Sequence, residues 1–277
     1  MSDSMAPPRF IYGTAWKEER TAALVSAALG AGFRAIDTAN QRKHYVESAA
    51  GEAISAAISA GTLRREELFL QTKYTYARGQ DHRLPYDANA RPAEQVAQSF
   101  HSSLEHLNTD YIDAYLLHGP SSGAGWSEVD WEVWRAMESL QQGGKARTIG
   151  VSNVTLAQLD ILVRGAKVSP SYVQNRCYAR TGWDRDIRGY CRDRKIGYQG
   201  FSLLTANVRE LASPAVAAIA RRLGCTPAQV TFAFSAQAGM IPLTGTSSGA
   251  HLREDLLALE LHLSGEEMEA VERAGRG

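Results

Sequence analysis

Residues 96–118 read VAQSFHSSLEHLNTDYIDAYLLH, and the spacing of the apolar residues changes within this single stretch. In the first half they recur at intervals of 4, 4 and 3 residues, as in a helix with one apolar face: Val96, Phe100, Leu104 and Leu107. In the second half, residues 111–117 form a nearly continuous apolar run, which is typical of a strand buried on both faces of a parallel sheet. The stretch therefore predicts a helix that leads directly into a buried strand.

The same alternation continues along the rest of the chain. Further apolar runs of strand length occur at residues 10–13, 34–38, 68–72, 148–151, 172–178, 196–204 and 240–243, with helix-length segments between them. This alternation predicts either a closed (β/α)8 barrel or a doubly wound sheet. The first run is followed by Gly13-Thr14-Ala15-Trp16 rather than by GxGxxG, which disfavours the doubly wound sheet. We therefore expect a TIM barrel, an α/β fold that forms a single domain over residues 1–277.

Composition narrows the class of protein further. The chain of 277 residues is 44% hydrophobic and 22% charged, which excludes a disordered chain. Lys+Arg and Asp+Glu number 30 each, so the broad basic surface of a nucleic-acid-binding protein is not expected. The three Cys are an odd number without paired spacing and predict neither a disulfide framework nor a metal site. Because no apolar segment resembles a signal peptide or a membrane span, we expect a cytoplasmic protein without membrane partners.

Ionisable residues follow three consecutive strands of the predicted barrel. Asp37, Lys73 and His118 stand at the ends of the second, third and fourth runs, and Tyr45 lies in the loop after Asp37. Each one alone has an ordinary structural explanation, such as a turn, a solvated surface charge or a packed ring. Because the carboxyl ends of barrel strands meet at one mouth, we expect the four side chains to lie together.

The four residue types suit one kind of chemistry. A Lys beside an Asp stays charged, and its charge would lower the pKa of a nearby phenol, so that Tyr45 could act as a general acid or base. His118 could donate a hydrogen bond to a substrate oxygen. This set is suited to protonating a carbonyl oxygen while hydride reaches the carbonyl carbon. No Ser or Cys accompanies His118 in a triad-like arrangement, so nucleophilic catalysis is not predicted.

Segments along nearly the whole chain resemble the aldo-keto reductase family. In order they are GFRAIDTANQRKHYVESAAG (residues 32–51), TKY (72–74), LLHGP (116–120), GVSN (150–153), QNRCY (174–178) and IPLTGTS (241–247). The resemblance implies reversible NAD(P)H-dependent reduction of aldehydes or ketones, with Asp37, Tyr45, Lys73 and His118 as the catalytic tetrad.

The resemblance has one departure at the tyrosine. The family's usual tyrosine lies five positions after the aspartate, where this chain has Arg42, whereas Tyr45 lies eight positions after it. The HYxE context of Tyr45 and Glu47 resembles a subgroup with a loop lengthened by three residues. The alternative is that Tyr45 packs against the second helix.

The same resemblance implies the residues that contact the nicotinamide half of the cofactor. Phe201 would stack its ring on the nicotinamide, although it could equally belong to the barrel core. Ser152 and Asn153, together with either Gln174 or Asn175, would contact the carboxamide of the nicotinamide. Ser202 and Leu204 would begin the loop that covers the pyrophosphate.

The segment after the eighth run is a candidate phosphate site. Small and hydroxylated residues, Gly245, Thr246 and Ser247, precede a predicted helix from residue 250, and barrels often bind phosphate here. An ordinary capped turn is the alternative. Between residues 241 and 252 there is no Lys or Arg, only His251, which weakens the expected grip on a 2′-phosphate. The resemblance favours NADP(H), with NAD(H) as the rival.

Substrate residues are less constrained by the sequence. Trp16 in the first turn and Trp126 in the loop after the fourth run are candidates for the pocket of a small carbonyl or alcohol substrate, with simple packing as the alternative for Trp126. The loops 74–89 and 121–130 would shape this pocket, and the short segment after the last predicted helix, 265–274, predicts an open pocket. A monomer is the expectation from the resemblance.

Two other kinds of protein remain open at this point. One is a non-catalytic, redox-sensing subunit that retains the cofactor without turnover. The other is a barrel lyase or isomerase in which Tyr45 and Lys73 transfer protons without nicotinamide.

Overall fold

Eight parallel strands close into a barrel in chain order in the computed structural model, which describes residues 6–275. Each strand pairs with the next, and the eighth returns to the first through Ile11 opposite Leu243. The strands are β1 Ile11–Gly13, β2 Ala35–Asp37, β3 Phe69–Tyr74, β4 Ile112–Leu117, β5 Ala146–Ser152, β6 Tyr172–Arg176, β7 Gly197–Phe201 and β8 Met240–Thr244. The predicted barrel is confirmed, and the doubly wound alternative is wrong.

Helices surround the barrel. They are α1 Thr21–Ala31, α2 Glu47–Ser59, α3 Pro92–Leu107, α4 Glu128–Gln142, α5 Leu156–Gly165, α6 Arg185–Asp193, α7 Val208–Leu211, α8 Pro214–Leu223, α9 Pro227–Gln237, α10 Gly249–Leu257 and α11 Gly265–Ala274. The sequence fixes their ends through local chemistry: α3 begins at Pro92 and ends where Asn108 takes the left-handed φ of 49°. No helix in residues 6–275 is both long and apolar enough to span a bilayer.

Two predicted strands extend too far. The runs 172–178 and 196–204 continue past the actual ends of β6 and β7 at Arg176 and Phe201. The extra apolar residues, including Cys177 and Leu203, are buried in the loops that follow the strands. Because a buried loop is as apolar as a buried strand, the run alone does not show where pairing stops.

The strands are buried on both faces, and their alternation positions the candidate site. In β3, Phe69, Gln71 and Lys73 share one face, which points into the barrel. The interior is apolar towards the amino ends of the strands, where Phe69 packs against Tyr172, and polar towards their carboxyl ends. Gly150 of β5 keeps this interior closely packed, since a Cβ there would lie 2.5 Å from the Tyr172 carbonyl oxygen.

Candidate active site

A cavity of about 470 Å³ opens at the carboxyl ends of the strands. Its walls come from strand ends and the loops that follow them, as expected for the functional face of a barrel. The predicted site residues that line it are Trp16, Asp37, Tyr45, His118, Ser152, Asn153, Gln174, Phe201, Ser202, Leu204, Gly245 and Thr246.

Asp37 lines this cavity and forms an ion pair with Lys73, which is buried and does not itself line it. The Lys73 Nζ lies 2.6 Å from Asp37 Oδ1 and also donates to the Thr38 carbonyl oxygen at 2.8 Å. The two side chains are only 1% and 4% exposed. Burial lowers the pKa of Lys73, and the Asp37 carboxylate opposes this shift. A buried pair of this kind holds its partners in one geometry, because neither charge is stable there alone.

A layer of three glutamine amides lies against Asp37 inside the barrel. Gln71 and Gln174 each donate to Asp37 Oδ1, at 2.6 Å and 3.1 Å, and both also donate to Gln199 Oε1. Asp37 therefore accepts from three side chains of β3 and β6. The sequence analysis did not single out Gln71 or Gln199; the available signal was their position two residues before Lys73 and Phe201, on the same strand face.

Tyr45 reaches the cavity from the loop between β2 and α2. The backbone N–H groups of His44 and Tyr45 both donate to the Gln41 carbonyl oxygen at 3.0 Å, which closes the lengthened loop into a tight turn. The Tyr45 ring centre lies 5.4 Å from Lys73 Nζ and 6.1 Å from the His118 ring. Arg42, at the family's usual tyrosine position, does not line the cavity. The alternative in which Tyr45 only packs against α2 does not match this placement.

The direction of the Tyr45 pKa differs from the sequence prediction. Burial raises the pKa of Tyr45 above its usual value, and the Asp37 carboxylate acts in the same direction. The charge of Lys73 does not reverse this, because its hydrogen bonds go to Asp37 and Thr38 rather than to the phenol. In this state the phenol is protonated and is a weaker acid than a free tyrosine, so the shift by itself opposes proton donation at neutral pH.

His118 follows β4 and is held by its neighbours on both sides. Its Nδ1 lies 2.7 Å from the Thr75 hydroxyl, and its carbonyl oxygen accepts from Asn153 Nδ2 at 2.8 Å. Burial lowers the pKa of His118 to about 3, with Lys73 and His44 acting in the same direction. The imidazole is therefore neutral near neutral pH and carries one N–H.

The two neighbouring candidate amides, Gln174 and Asn175, lie on opposite faces of β6. Gln174 lines the cavity, whereas the Asn175 side chain lies on the opposite face of β6 and bonds to both backbone groups of Val154. Strand alternation is the reason, because successive side chains point to opposite faces. Ser152 is tied to β6 through its hydroxyl, which donates to the Gln174 carbonyl oxygen at 2.6 Å.

Two cations lie at the cavity that the sequence analysis did not assign to it. Lys17, buried after β1, donates from its Nζ to the Gly245 carbonyl oxygen, and Arg176 lies with its guanidinium 5.9 Å from the Phe201 ring centre. Both cations lie outside the segment 241–252 that the sequence predicts as the phosphate site. Of that segment, Ser247 and His251 do not line the cavity. The available signal for Lys17 was its place in the first turn, directly after Trp16.

Comparison with known proteins agrees with this geometry. The chain matches the sequence model described as the aldo/keto reductase family over residues 10–276. The chain belongs to the aldo/keto reductase family. It is 27% identical to human aldo-keto reductase family 1 member C1, over 90% of this chain and 81% of that protein.

Solved structures show the same fold. A Brucella melitensis aldo/keto reductase has a TM-score of 0.82 at 26% identity, covering 96% of this chain and 95% of that one. An aldo-keto reductase crystallised with NADPH has a TM-score of 0.83 at 26% identity, covering 96% of this chain and 84% of that one. This aldo/keto reductase is therefore an NAD(P)-dependent oxidoreductase of carbonyl compounds, as the sequence predicts.

The two tryptophans predicted at the substrate pocket of this aldo/keto reductase lie in different places. Trp16 lines the cavity, is 66% exposed and stacks on His44 with ring centres 3.6 Å apart. Trp126 lies outside it, packed against Trp131 and Trp134 with ring centres 5.8 Å and 6.5 Å away. The packing alternative matches Trp126, because its partly buried ring lies against the rings of α4 and does not line this cavity.

Proposed function

We propose that this aldo/keto reductase reduces an aldehyde or ketone at the 470 Å³ cavity, with Tyr45 as the proton donor. One observation carries the proposal: Tyr45, the buried Lys73–Asp37 pair and neutral His118 converge there from three successive strands and their loops. A carbonyl oxygen between Tyr45 and His118 would receive hydrogen bonds from both. The nicotinamide cofactor, when bound, supplies the hydride.

Tyr45 gives its phenolic proton to the carbonyl oxygen as negative charge develops there. Burial disfavours the phenolate, and Lys73, whose Nζ is 5.4 Å from the ring centre, offsets this by stabilising the negative charge that remains on Tyr45. Asp37 and the glutamine layer keep Lys73 charged and fixed, since a lone buried ammonium would lose its proton.

His118 orients the substrate rather than transferring a proton. Its lowered pKa makes an imidazolium unavailable near neutral pH, so it acts as a neutral hydrogen-bond donor. Thr75 and Asn153 fix the ring and its backbone, so that little reorganisation is needed at the moment of reaction.

The residues around the cavity fit a nicotinamide dinucleotide. Phe201 offers an aromatic ring at the wall, and the polar groups of Ser152, Asn153 and Gln174 stand beside it for a carboxamide. Lys17 lies at the Gly245 segment, where a phosphate would be held.

NADP(H) is the cofactor that we favour, and NAD(H) is the rival. Lys17 and Arg176 supply positive charge that the segment 241–252 lacks, and an additional phosphate would be attracted to it. The relative crystallised with NADPH supports the same choice. We extend the proposal to a cytoplasmic monomer, which rests on the family resemblance and is tested by gel filtration and by localisation of the tagged protein.

The test combines cofactor titration with a turnover screen. Fluorescence titration should give tighter binding of NADPH than of NADH, and NADPH should be consumed with aldehydes or ketones. A clear preference for NADH would overturn the cofactor assignment. Tight cofactor binding with no turnover over many carbonyl compounds would favour a non-catalytic subunit, and failure to bind either dinucleotide would favour a lyase or isomerase.

A further inference from the structure

A second cavity of about 520 Å³ lies beside the first, on the other side of His118. His118 and Asn153 line both cavities, so the two cavities adjoin at these residues. Its walls come from the loops after β3 and β4, which were predicted to shape the substrate pocket, and from the start of α5. None of the residues proposed for the cofactor lines it apart from Asn153.

The two cavities differ in chemistry. The first has several large apolar walls, among them Phe201, Phe232 and Leu243. The second is lined by hydroxyl, amide and backbone groups together with Tyr76, Pro120 and Arg78, and none of the described residues in its wall is Leu, Ile, Val, Met or Phe. Surfaces of this composition bind chains with hydroxyl or carbonyl groups better than hydrocarbon chains, because their polar groups would otherwise lose hydrogen bonds to water.

One lining residue of the second cavity carries a full charge at neutral pH. Arg78 stands in a short 3-10 turn after β3, and its guanidinium donates to the Pro120 carbonyl oxygen across the cavity rim. This contact occupies one of five N–H donors. Among residues 6–275, no carboxylate lies within ion-pair distance of Arg78.

The rim around Arg78 is already ordered by contacts between three loops. Gln41 donates to the Gly79 carbonyl oxygen at 2.6 Å, which ties the Tyr45 loop to the turn that carries Arg78. The Arg78–Pro120 contact ties the same turn to the loop after β4. An anion at this guanidinium would therefore meet a donor whose position is fixed before binding.

We propose that the second cavity binds the chain of the substrate, and that this substrate is a hydrophilic aldehyde or ketone with a carboxylate, which pairs with Arg78. The inference rests on the proposed function, because it takes the carbonyl to lie at Tyr45 and His118. It adds the substrate class: an oxo acid whose carboxylate lies across the second cavity from the reacting carbonyl.

The test compares straight-chain oxo acids of four, five and six carbons with their methyl esters, which lack the charge. The purified full chain should reduce at least one of the acids with about tenfold higher kcat/KM than its ester, the size expected for a charged hydrogen bond to the exposed Arg78 guanidinium. Arg78→Met should lower this acid-to-ester ratio about tenfold. Arg78→Lys should keep part of it, since the charge remains but the planar fork is lost.

A matched control separates contact from overall charge. Arg64→Met removes one charge from an exposed Arg64–Glu67 pair near the opposite end of β3 and should leave the ratio unchanged. Gly119→Leu tests the cavity from another loop: a Cβ on Gly119 would make ordinary contacts of 3.5 Å with Asn153, and the longer side chain should raise KM for the acids.

The outcomes distinguish this inference from the proposed function. The inference would be overturned if simple aldehydes were reduced with no preference for the acids. It would also be overturned if wild type and Arg78→Met had the same acid-to-ester ratio of kcat/KM. Either result would leave the proposed function standing. If nothing is reduced although NADPH binds, the proposed function fails. The role of the second cavity is then tested separately, by measuring how tightly the complex with NADP+ binds the corresponding hydroxy acids. Equal affinity in wild type and Arg78→Met would then overturn the inference as well.

Discussion

The hydroxyl of Thr75 lies 2.7 Å from Nδ1 of His118, at the ends of the neighbouring strands β3 and β4. Because burial keeps His118 neutral, its ring carries a single proton, and the partner of Nδ1 decides which nitrogen holds it. If the Thr75 hydroxyl donates to Nδ1, the proton resides on Nε2, the nitrogen left to donate to a substrate oxygen. We therefore predict that Thr75 is a positioning residue that sets the tautomer of His118.

Thr75→Val should reduce kcat while leaving cofactor affinity unchanged. The substitution keeps the shape but removes the hydroxyl, and the loss of one hydrogen bond of about 1 kcal/mol predicts a decrease of roughly fivefold. Steady-state kinetics and fluorescence titration measure the two quantities. Thr75→Ser restores the donor and should recover most of the activity; an inactive serine variant would show that the methyl group matters instead.

Tyr45→Phe should abolish most turnover and leave the protein folded with nearly normal cofactor binding. Loss of a positioned general acid predicts a decrease in kcat of about 10²-fold or more. Tyr74→Phe is the matched control, because its hydroxyl bonds to Gln95 on the outer face of β3. The rate of single-turnover reduction, measured for both variants, tests this prediction: it should fall in Tyr45→Phe and stay near wild type in Tyr74→Phe. Full activity in Tyr45→Phe would show that Tyr45 is not the proton donor.

Much of this arrangement could be predicted from the chain itself. A parallel barrel alternates its side chains strictly, so the residues that end β2, β3 and β4 on the inner face had to meet at one mouth: Asp37, Lys73 and His118. The same alternation separates Gln174 from Asn175, although the spacing of motifs alone left the two equivalent. Local rules therefore gave the strands and the face on which each polar residue lies.

Contacts between distant loops could not be read in this way. Lys17 meets Gly245 because β1 and β8 are neighbours only once the barrel closes, and Trp126 joins Trp131 and Trp134 only once the loop folds back onto α4. The pKa of Tyr45 depends on how completely the loop buries its ring, which no spacing records. The sign of that shift therefore needed the structure.

Separating Lys73 from Asp37 should destabilise the fold as well as the reaction. Lys73→Met leaves the Asp37 carboxylate buried without its cation, which should cost about 3–5 kcal/mol of unfolding free energy. Asp37→Asn with Lys73→Met should cost less than the sum of the two single changes, since the double variant leaves no unpaired charge. Urea unfolding of the four proteins measures this coupling. Additive effects would contradict a tight ion pair. The exposed Arg64–Glu67 pair serves as a control, and the same double-variant comparison there should show far weaker coupling because solvent screens both charges.

The low pKa of His118 makes stability depend on pH in a definite direction. The unfolded chain takes up a proton on this ring below its ordinary value of 6.5, whereas the folded chain does so only near about 3. Between these values the unfolded state binds more protons, so the unfolding free energy falls as pH is lowered and is level above 6.5 for this group. His118→Gln removes the linkage. Urea unfolding at neutral and at mildly acidic pH measures this effect. The unfolding free energy should fall more between the two pH values in wild type than in the variant, and equal decreases would place the His118 pKa near its ordinary value.

Lys17→Met should weaken cofactor binding about tenfold, the expected size of a charged hydrogen bond to phosphate. The Lys17 Nζ donates to the Gly245 carbonyl oxygen, so an anion at this segment would meet an ammonium group already in place and would offset the burial that lowers its pKa. Fluorescence titration with both dinucleotides gives the position of the contact. Equal losses for NADPH and NADH would place Lys17 at the pyrophosphate, and a loss confined to NADPH would place it at the 2′-phosphate. Lys43→Met, an exposed cation on the Tyr45 loop, should change neither affinity, and an equal effect there would reduce the role of Lys17 to long-range attraction.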